Sequence, residues 1–163
     1  MEYRLATLDD LNKIWDKNIS SHPNDNRWVR WKKEYIDYNI NKQALTYVVV
    51  DKGNPIGEVT LILSNECKAV QGKDCLIDSV TANMNAFRIE KKYEGQGHIS
   101  KIVKMVEADA KAMGKKYLTI GVEAKETRNI AIYLHFGYTE FLTYEIDADD
   151  NELVLYYRKN IGG

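Results

Sequence analysis

Cysteine, proline and unbalanced charge are scarce in this chain, and each scarcity removes a class of protein. Two cysteines, Cys67 and Cys75, in 163 residues are too few for a disulfide scaffold or a four-cysteine zinc site. They point to a reducing, cytoplasmic setting, with a Cys67–Cys75 loop disulfide as the alternative. Lysine and arginine number 23 against 24 acidic residues, a formal net charge of −1. No general attraction to nucleic acid or to a membrane surface follows from that balance. No apolar run approaches the roughly 20 residues that a spanning helix requires. The opening Met1-Glu2-Tyr3-Arg4 lacks the basic and apolar regions of a secretory leader. The three histidines show no metal-ligand spacing, and no Ser-His-Asp or Cys-His constellation can be assembled.

What is present is an ordinary globular composition, 44% hydrophobic and 29% charged, of a size suited to one domain over residues 1–163. Tyr3 to Ala6 reads as a strand, and Thr7 as the N-cap of a helix carrying Leu8, Leu11 and Trp15. Beyond Pro23, the residues Trp28, Trp31, Tyr35 and Tyr38 line one face of a second helix. Leu45 to Asp51 and Ile56 to Leu63 form a hairpin about Lys52-Gly53-Asn54-Pro55. Residues 64 to 80 read as a loop. A strand from Ala82 to Glu90 then leads through Gly95-Gln96-Gly97 into a helix with Ile99, Ile102, Val103, Val106 and Ala110 on one side, stopped by Gly114. Tyr117 to Glu123 is a strand, 127 to 136 a short helix, and Tyr138 to Ile146 with Glu152 to Lys159 a terminal hairpin.

The glycine turn carries the chemistry. A strand that ends in such a turn and enters a helix aims several unpaired N–H groups at one point, where the helix dipole also favours negative charge. Phosphate fits there, and Lys91, Lys92 and Lys101 add attraction. Turn geometry alone is the competing reason for two glycines. A dinucleotide fingerprint is disfavoured, because Ser100 stands where a third glycine belongs, and no Walker pattern occurs.

The segment Ile89-Glu90-Lys91-Lys92-Tyr93-Glu94-Gly95-Gln96-Gly97-His98-Ile99-Ser100 and the segment Ala131-Ile132-Tyr133-Leu134-His135-Phe136-Gly137-Tyr138 resemble the two signature regions of the GCN5-related N-acetyltransferase superfamily. Glu94, Ile99 and Glu126 depart from the usual Arg or Gln, Gly or Ala, and Asn. A hydrated carboxylate 4 Å from a phosphate charge costs about 1 kcal/mol, so Glu94 bears on affinity before fold. The resemblance implies an α/β (α+β) acyl-CoA N-acyltransferase fold, a mixed sheet with splayed middle strands flanked by about four helices. It implies acetyl-CoA as co-substrate, without a metal. Pantetheine would lie along Phe87, Arg88 and Ile89, and the diphosphate on Gly95, Gln96, Gly97, His98, Ile99 and Ser100, with Asn129 completing the set. An amide near Ile89 would polarise the thioester carbonyl.

An alkylammonium with pKa near 10 is about 0.1% neutral at pH 7, so freeing the nucleophile costs about 4 kcal/mol of barrier. Glu58, Glu90 and Glu123 are candidate bases, with a water relay as the alternative. The resemblance makes Tyr133 the proton donor to the departing thiolate; packing as a core aromatic is the competing reading. The aromatic face of the second helix, and the acidic tip Glu145, Asp147, Asp149, Asp150 and Glu152, are candidate acceptor borders or plain structural features. The expected acceptor is a primary amine of a small molecule: aminoglycoside, polyamine or amino-acid-like. Alternatives are a non-catalytic acyl-CoA-binding module and a protein lysine acetyltransferase. A homodimer is an assembly the resemblance leaves open.

Overall fold

The computed structural model describes residues 1–162. Along them run β1 (Glu2–Leu5), α1 (Leu8–Ser21), α2 (Arg27–Ile40), β2 (Ala44–Asp51), β3 (Asn54–Ile62), β4 (Thr81–Ile89), a 3₁₀ turn (Lys91–Tyr93), α3 (His98–Ala112), β5 (Tyr117–Glu123), α4 (Thr127–His135), β6 (Glu140–Ile146) and β7 (Leu153–Asn160). The strands follow the order β1-β2-β3-β4-β5-β7-β6, and β4 runs parallel to β5. This is the mixed α/β architecture that the order of elements leads one to expect. The chain forms two compact units, Met1–Leu63 with Ala86–Val106, and Ser64–Asn85 with the residues from Glu107 onward.

In the first unit, Thr7 caps α1 as its sequence predicts. Its hydroxyl accepts from the Asp10 N–H at 3.1 Å, and the Asp10 carboxylate accepts from the Thr7 N–H at 2.8 Å. Such a reciprocal box satisfies two otherwise orphaned donors. One turn on, Leu11, Ile14 and Trp15 are buried. Val48 and Val49 are adjacent and both fully buried, as are Val59 and Leu61 on β3, so both faces of these strands are covered and their runs are apolar rather than alternating. Lys52 (φ +49) and Gly53 (φ +79) make a two-residue turn in which both residues are left-handed. The sequence places Asn54 and Pro55 in that turn. Instead they begin β3, because a bulge between Val49 and Val50 lets Val50 pair with a proline that has no N–H to give.

In the second unit, the parallel ladder runs from Thr81–Tyr117 to Met84–Ile120 and stops there. Ala86, the residue with which the chain re-enters the first unit, adopts φ +52, a left-handed conformation costly for a non-glycine residue. Antiparallel pairing joins β5 to β7 and β7 to β6. Residues 64 to 80 are turns, as expected, yet they are not loosely held: Cys67, Val70, Leu76 and Ile77 are buried, and Thr119 donates its hydroxyl to the Leu76 carbonyl at 2.7 Å. Cys67 and Cys75 are not joined in a disulfide, and burial pushes the Cys67 thiol up to about 11.

Candidate functional site

In the first unit β4 ends where Glu90 donates its N–H to the Ile56 carbonyl at 2.8 Å. After the 3₁₀ turn the chain enters α3 through Gly95 (φ +75) and Gly97 (φ +82). A β-carbon at either glycine would meet nothing within 4 Å. No packed neighbour therefore imposes these glycines; left-handed backbone requires them, and open space is left beside it. The Lys101 N–H makes the first bond of α3, to the Gly97 carbonyl at 3.2 Å. The N–H groups of His98, Ile99 and Ser100 precede it and face the helix end, where the dipole favours an anion. Lys91, Lys92 and Lys101 are exposed near this turn, and so is Glu94. The turn thus fits a diphosphate, as an open backbone cradle at a helix N-terminus.

His98 is buried. Its Nδ1 lies 2.7 Å from Tyr3 Oη and its Nε2 3.2 Å from Gln96 Oε1. Gln96 in turn donates to the Lys92 carbonyl at 3.2 Å, and Tyr93 Oη donates to Asp51 at 2.7 Å. These bonds fix the turn from both flanks. No sequence signal foretold the Tyr3–His98 contact, which spans 95 residues.

On β4, Phe87, Arg88 and Ile89 are half-buried. Gly57 explains how close β3 comes to them, because a β-carbon there would stand 3.2 Å from the Arg88 carbonyl. The Arg88 guanidinium carbon lies 5.0 Å from the Trp15 ring and 4.9 Å from the Trp28 ring. Trp28 also stacks on His22, with centroids 3.9 Å apart and planes 10° from parallel. Behind Arg88 sits Glu58, 0% exposed, with Oε1 at 3.2 Å from Arg88 Nη1. Burial raises the Glu58 pKa, against the lowering effect of Arg88 and of Asn18, which donates to Oε2 at 3.3 Å. The aromatic face of α2 is therefore split: Tyr35 and Tyr38 are core, whereas Trp28 and Trp31 are half-buried. Of the other candidate bases, Glu90 is paired with Lys17 at 2.9 Å and Glu123 lies 3.6 Å from Lys125.

In the second unit α4 contributes no fully buried side chain, and Glu126 at its N-cap makes no capping bond. Asn129 is exposed. Tyr133 is half-buried, and burial pushes its phenol up to about 12. The acidic tip is engaged within its own unit: Lys73 reaches Glu145 at 2.7 Å, Lys125 reaches Glu152 at 2.7 Å, and Asp147 and Asp150 accept backbone N–H groups. A structural cluster the sequence did not suggest joins Glu107 to Lys159 at 2.8 Å and to the buried Tyr138 hydroxyl at 3.1 Å. Among the described residues no group of three or more His, Cys, Asp or Glu side chains could hold a metal, and no helix is long and apolar enough to cross a membrane.

A strand, a left-handed glycine turn and an amide-lined helix end, within this order of strands and helices, define the fold of the acyl-CoA N-acyltransferases. The model of the Acetyltransferase (GNAT) family matches residues 7–138, and the chain belongs to that family. Solved structures show the same fold at low identity. A protein described as an acetyltransferase of the GNAT family from Desulfovibrio desulfuricans superposes with a TM-score of 0.78 at 10% identity, covering 98% of each chain. An aminoglycoside 6'-N-acetyltransferase complexed with coenzyme A gives 0.70 at 12% identity, covering 99% of this chain and 97% of that one. A mutant spermidine N-acetyltransferase from Vibrio cholerae gives 0.70 at 14%, covering 99% and 95%. No curated protein matches the chain in sequence.

Proposed function

We propose that this protein is an acetyl-CoA-dependent N-acetyltransferase, one catalytic domain over residues 1–163, acting on a primary amine of a small molecule. The observation that carries the reading is the turn at Gly95 and Gly97, where left-handed backbone leaves open space ahead of the free amides of His98, Ile99 and Ser100. Family membership supports it, as does a neighbour that is a complex with coenzyme A.

Acetyl-CoA, when bound, supplies the activated acetyl group. Gly95, Gln96, Gly97, His98, Ile99 and Ser100 hold the diphosphate, and Phe87, Arg88 and Ile89 offer β4 backbone to the pantetheine, with Asn129 as a further contact. The Ile89 amide is the proposed donor to the thioester carbonyl. Glu58 is covered, and Glu90 and Glu123 lie beside lysines; the amine's proton therefore leaves through water. Tyr133 is the proposed hydrogen-bond donor to the thiolate. Since burial pushes its phenol up to about 12, it stays protonated at neutral pH and acts by hydrogen bonding as charge develops rather than by full transfer.

Calorimetry with acetyl-CoA and CoA, followed by thiol-release assays over a panel of amines, tests this reading. Binding with turnover on a small amine supports it. Binding without turnover on any amine or lysine peptide would make the chain a non-catalytic acyl-CoA-binding module, and turnover on peptides alone a protein acetyltransferase.

A further inference from the structure

Arg88 and Glu58 face each other as charged groups that the protein leaves under-satisfied. Glu58 is wholly buried, yet its Oε1 has no hydrogen-bond partner, and neither has the buried Nη1 of Arg88, although the two atoms are 3.2 Å apart. The two form a buried ion pair whose alignment is poor for a hydrogen bond. A poorly aligned pair of buried charges is costly to keep and calls for an explanation.

The surroundings decide which ligand the pair suits. Trp15 and Trp28 stand on either hand within cation–π reach of the guanidinium carbon, and such contacts hold the side chain in place. On its exposed part a guanidinium offers N–H donors of the kind that match a carboxylate. Exposure gives the sign. Arg88 has 29% of its side chain exposed and Glu58 has 0%, so an incoming molecule meets the positive member first. Nearby Lys17 and Glu90 neutralise each other at 2.9 Å. A polycation would approach a fixed guanidinium with its counter-charge out of reach, whereas an acid would meet the exposed part of the Arg88 side chain, Nη1 remaining turned inward on Glu58.

We infer that Arg88 is the specificity-determining residue for the acceptor, and that the acceptor carries a carboxylate: an α-amino acid or a close relative rather than a polyamine or aminoglycoside. This rests on the proposed transferase reading. There the backbone of Arg88 borders the pantetheine, so its side chain springs from the strand proposed to carry the thioester.

The test compares α-amino acids with their α-carboxamides, and with spermidine, in thiol-release assays on the full chain. The expected result is a kcat/KM at least about tenfold higher for the carboxylates, a contact worth about 1.4 kcal/mol, and a ratio near one in Arg88→Gln through a rise in acceptor KM. Arg88→Lys, which keeps the charge and loses the fork, should fall between. Truncating Arg88 strands a buried carboxylate, so the double variant Arg88→Gln/Glu58→Gln serves as the folded control and should also lose the preference. Equal rates for acids and amides, or an unchanged ratio in Arg88→Gln, overturns the inference. Failure of acetyl-CoA to bind would sink the transferase reading instead. Ligand-observed NMR of the same acids and amides without acetyl-CoA then still decides the role of Arg88, through the presence or absence of an Arg88-dependent difference.

Discussion

Tyr3 Oη stands 2.7 Å from Nδ1 of His98, so the first strand of the chain holds the first residue of α3 in place. The contact serves either charge state of the imidazole. When neutral, Nδ1 accepts from the tyrosine hydroxyl and Nε2–H donates to Gln96; when charged, both nitrogens donate. The helix end with its free amides is thereby held before any ligand arrives. Tyr3→Phe should leave a buried ring nitrogen unsatisfied and cost about 1–2 kcal/mol in a urea titration. Acetyl-CoA affinity should fall with it by about fivefold, the equivalent of ~1 kcal/mol of lost preorganisation, as calorimetry would read.

Gly97→Ala separates backbone strain from ligand exclusion. At φ +82 an alanine is strained, but its β-carbon meets no protein atom within 4 Å. Stability should drop by about 1–2 kcal/mol from the left-handed conformation alone. The acetyl-CoA dissociation constant should rise about tenfold or more, because the methyl group enters the space where a phosphate approaches the backbone. A loss of stability with unchanged affinity would mean that the turn is only a turn.

Asp10 ties α1 to the strand before it. Its burial favours the protonated form, but hydrogen bonds from Arg4 and from Thr7 outweigh that and hold its carboxyl below the ordinary value of 3.8. A carboxyl depressed in the folded state stabilises fully above its unfolded pKa, and that contribution is lost as pH falls through the folded value. Asp10→Asn should therefore cost about 2 kcal/mol at pH 7. It should also flatten the decline in thermal midpoint below about pH 4 that the parent shows.

Tyr133→Phe should lower kcat by about ten- to a hundredfold while leaving the acetyl-CoA KM nearly unchanged, as removal of a donor needed only in the transition state would. With its phenol pushed up to about 12, Tyr133 should give the parent no alkaline decline in kcat below about pH 10. A tyrosine-dependent fall between pH 8 and 10, absent in the phenylalanine variant, would contradict the burial that sets its pKa.

Much of the fold was readable in the chain because the signals are local. Thr7 ahead of a helically spaced apolar set, Gly95 and Gly97 before an amphipathic run, and the glycine-bearing connection after Asp51 between β-branched strands each determine structure within a few residues. The start of β3 was misplaced because a proline usually marks a turn; only the bulge opposite it, a pairing property, admits it to the strand. The assembly about Arg88 was illegible for a different reason. Trp15, His22 with Trp28, Glu58 and Arg88 come from separate segments, and each alone suggested something plainer: a core helix face, a candidate base, a stretch of backbone for pantetheine. Their meeting depends on tertiary packing, which no periodicity records. The same holds for Tyr3 and His98.

Titration calorimetry of the purified chain with acetyl-CoA, repeated with Gly97→Ala, tests the central claim most directly. The account predicts one site of micromolar affinity, weakened about tenfold or more by the added methyl group. No heat with any coenzyme A thioester at millimolar concentration would contradict it.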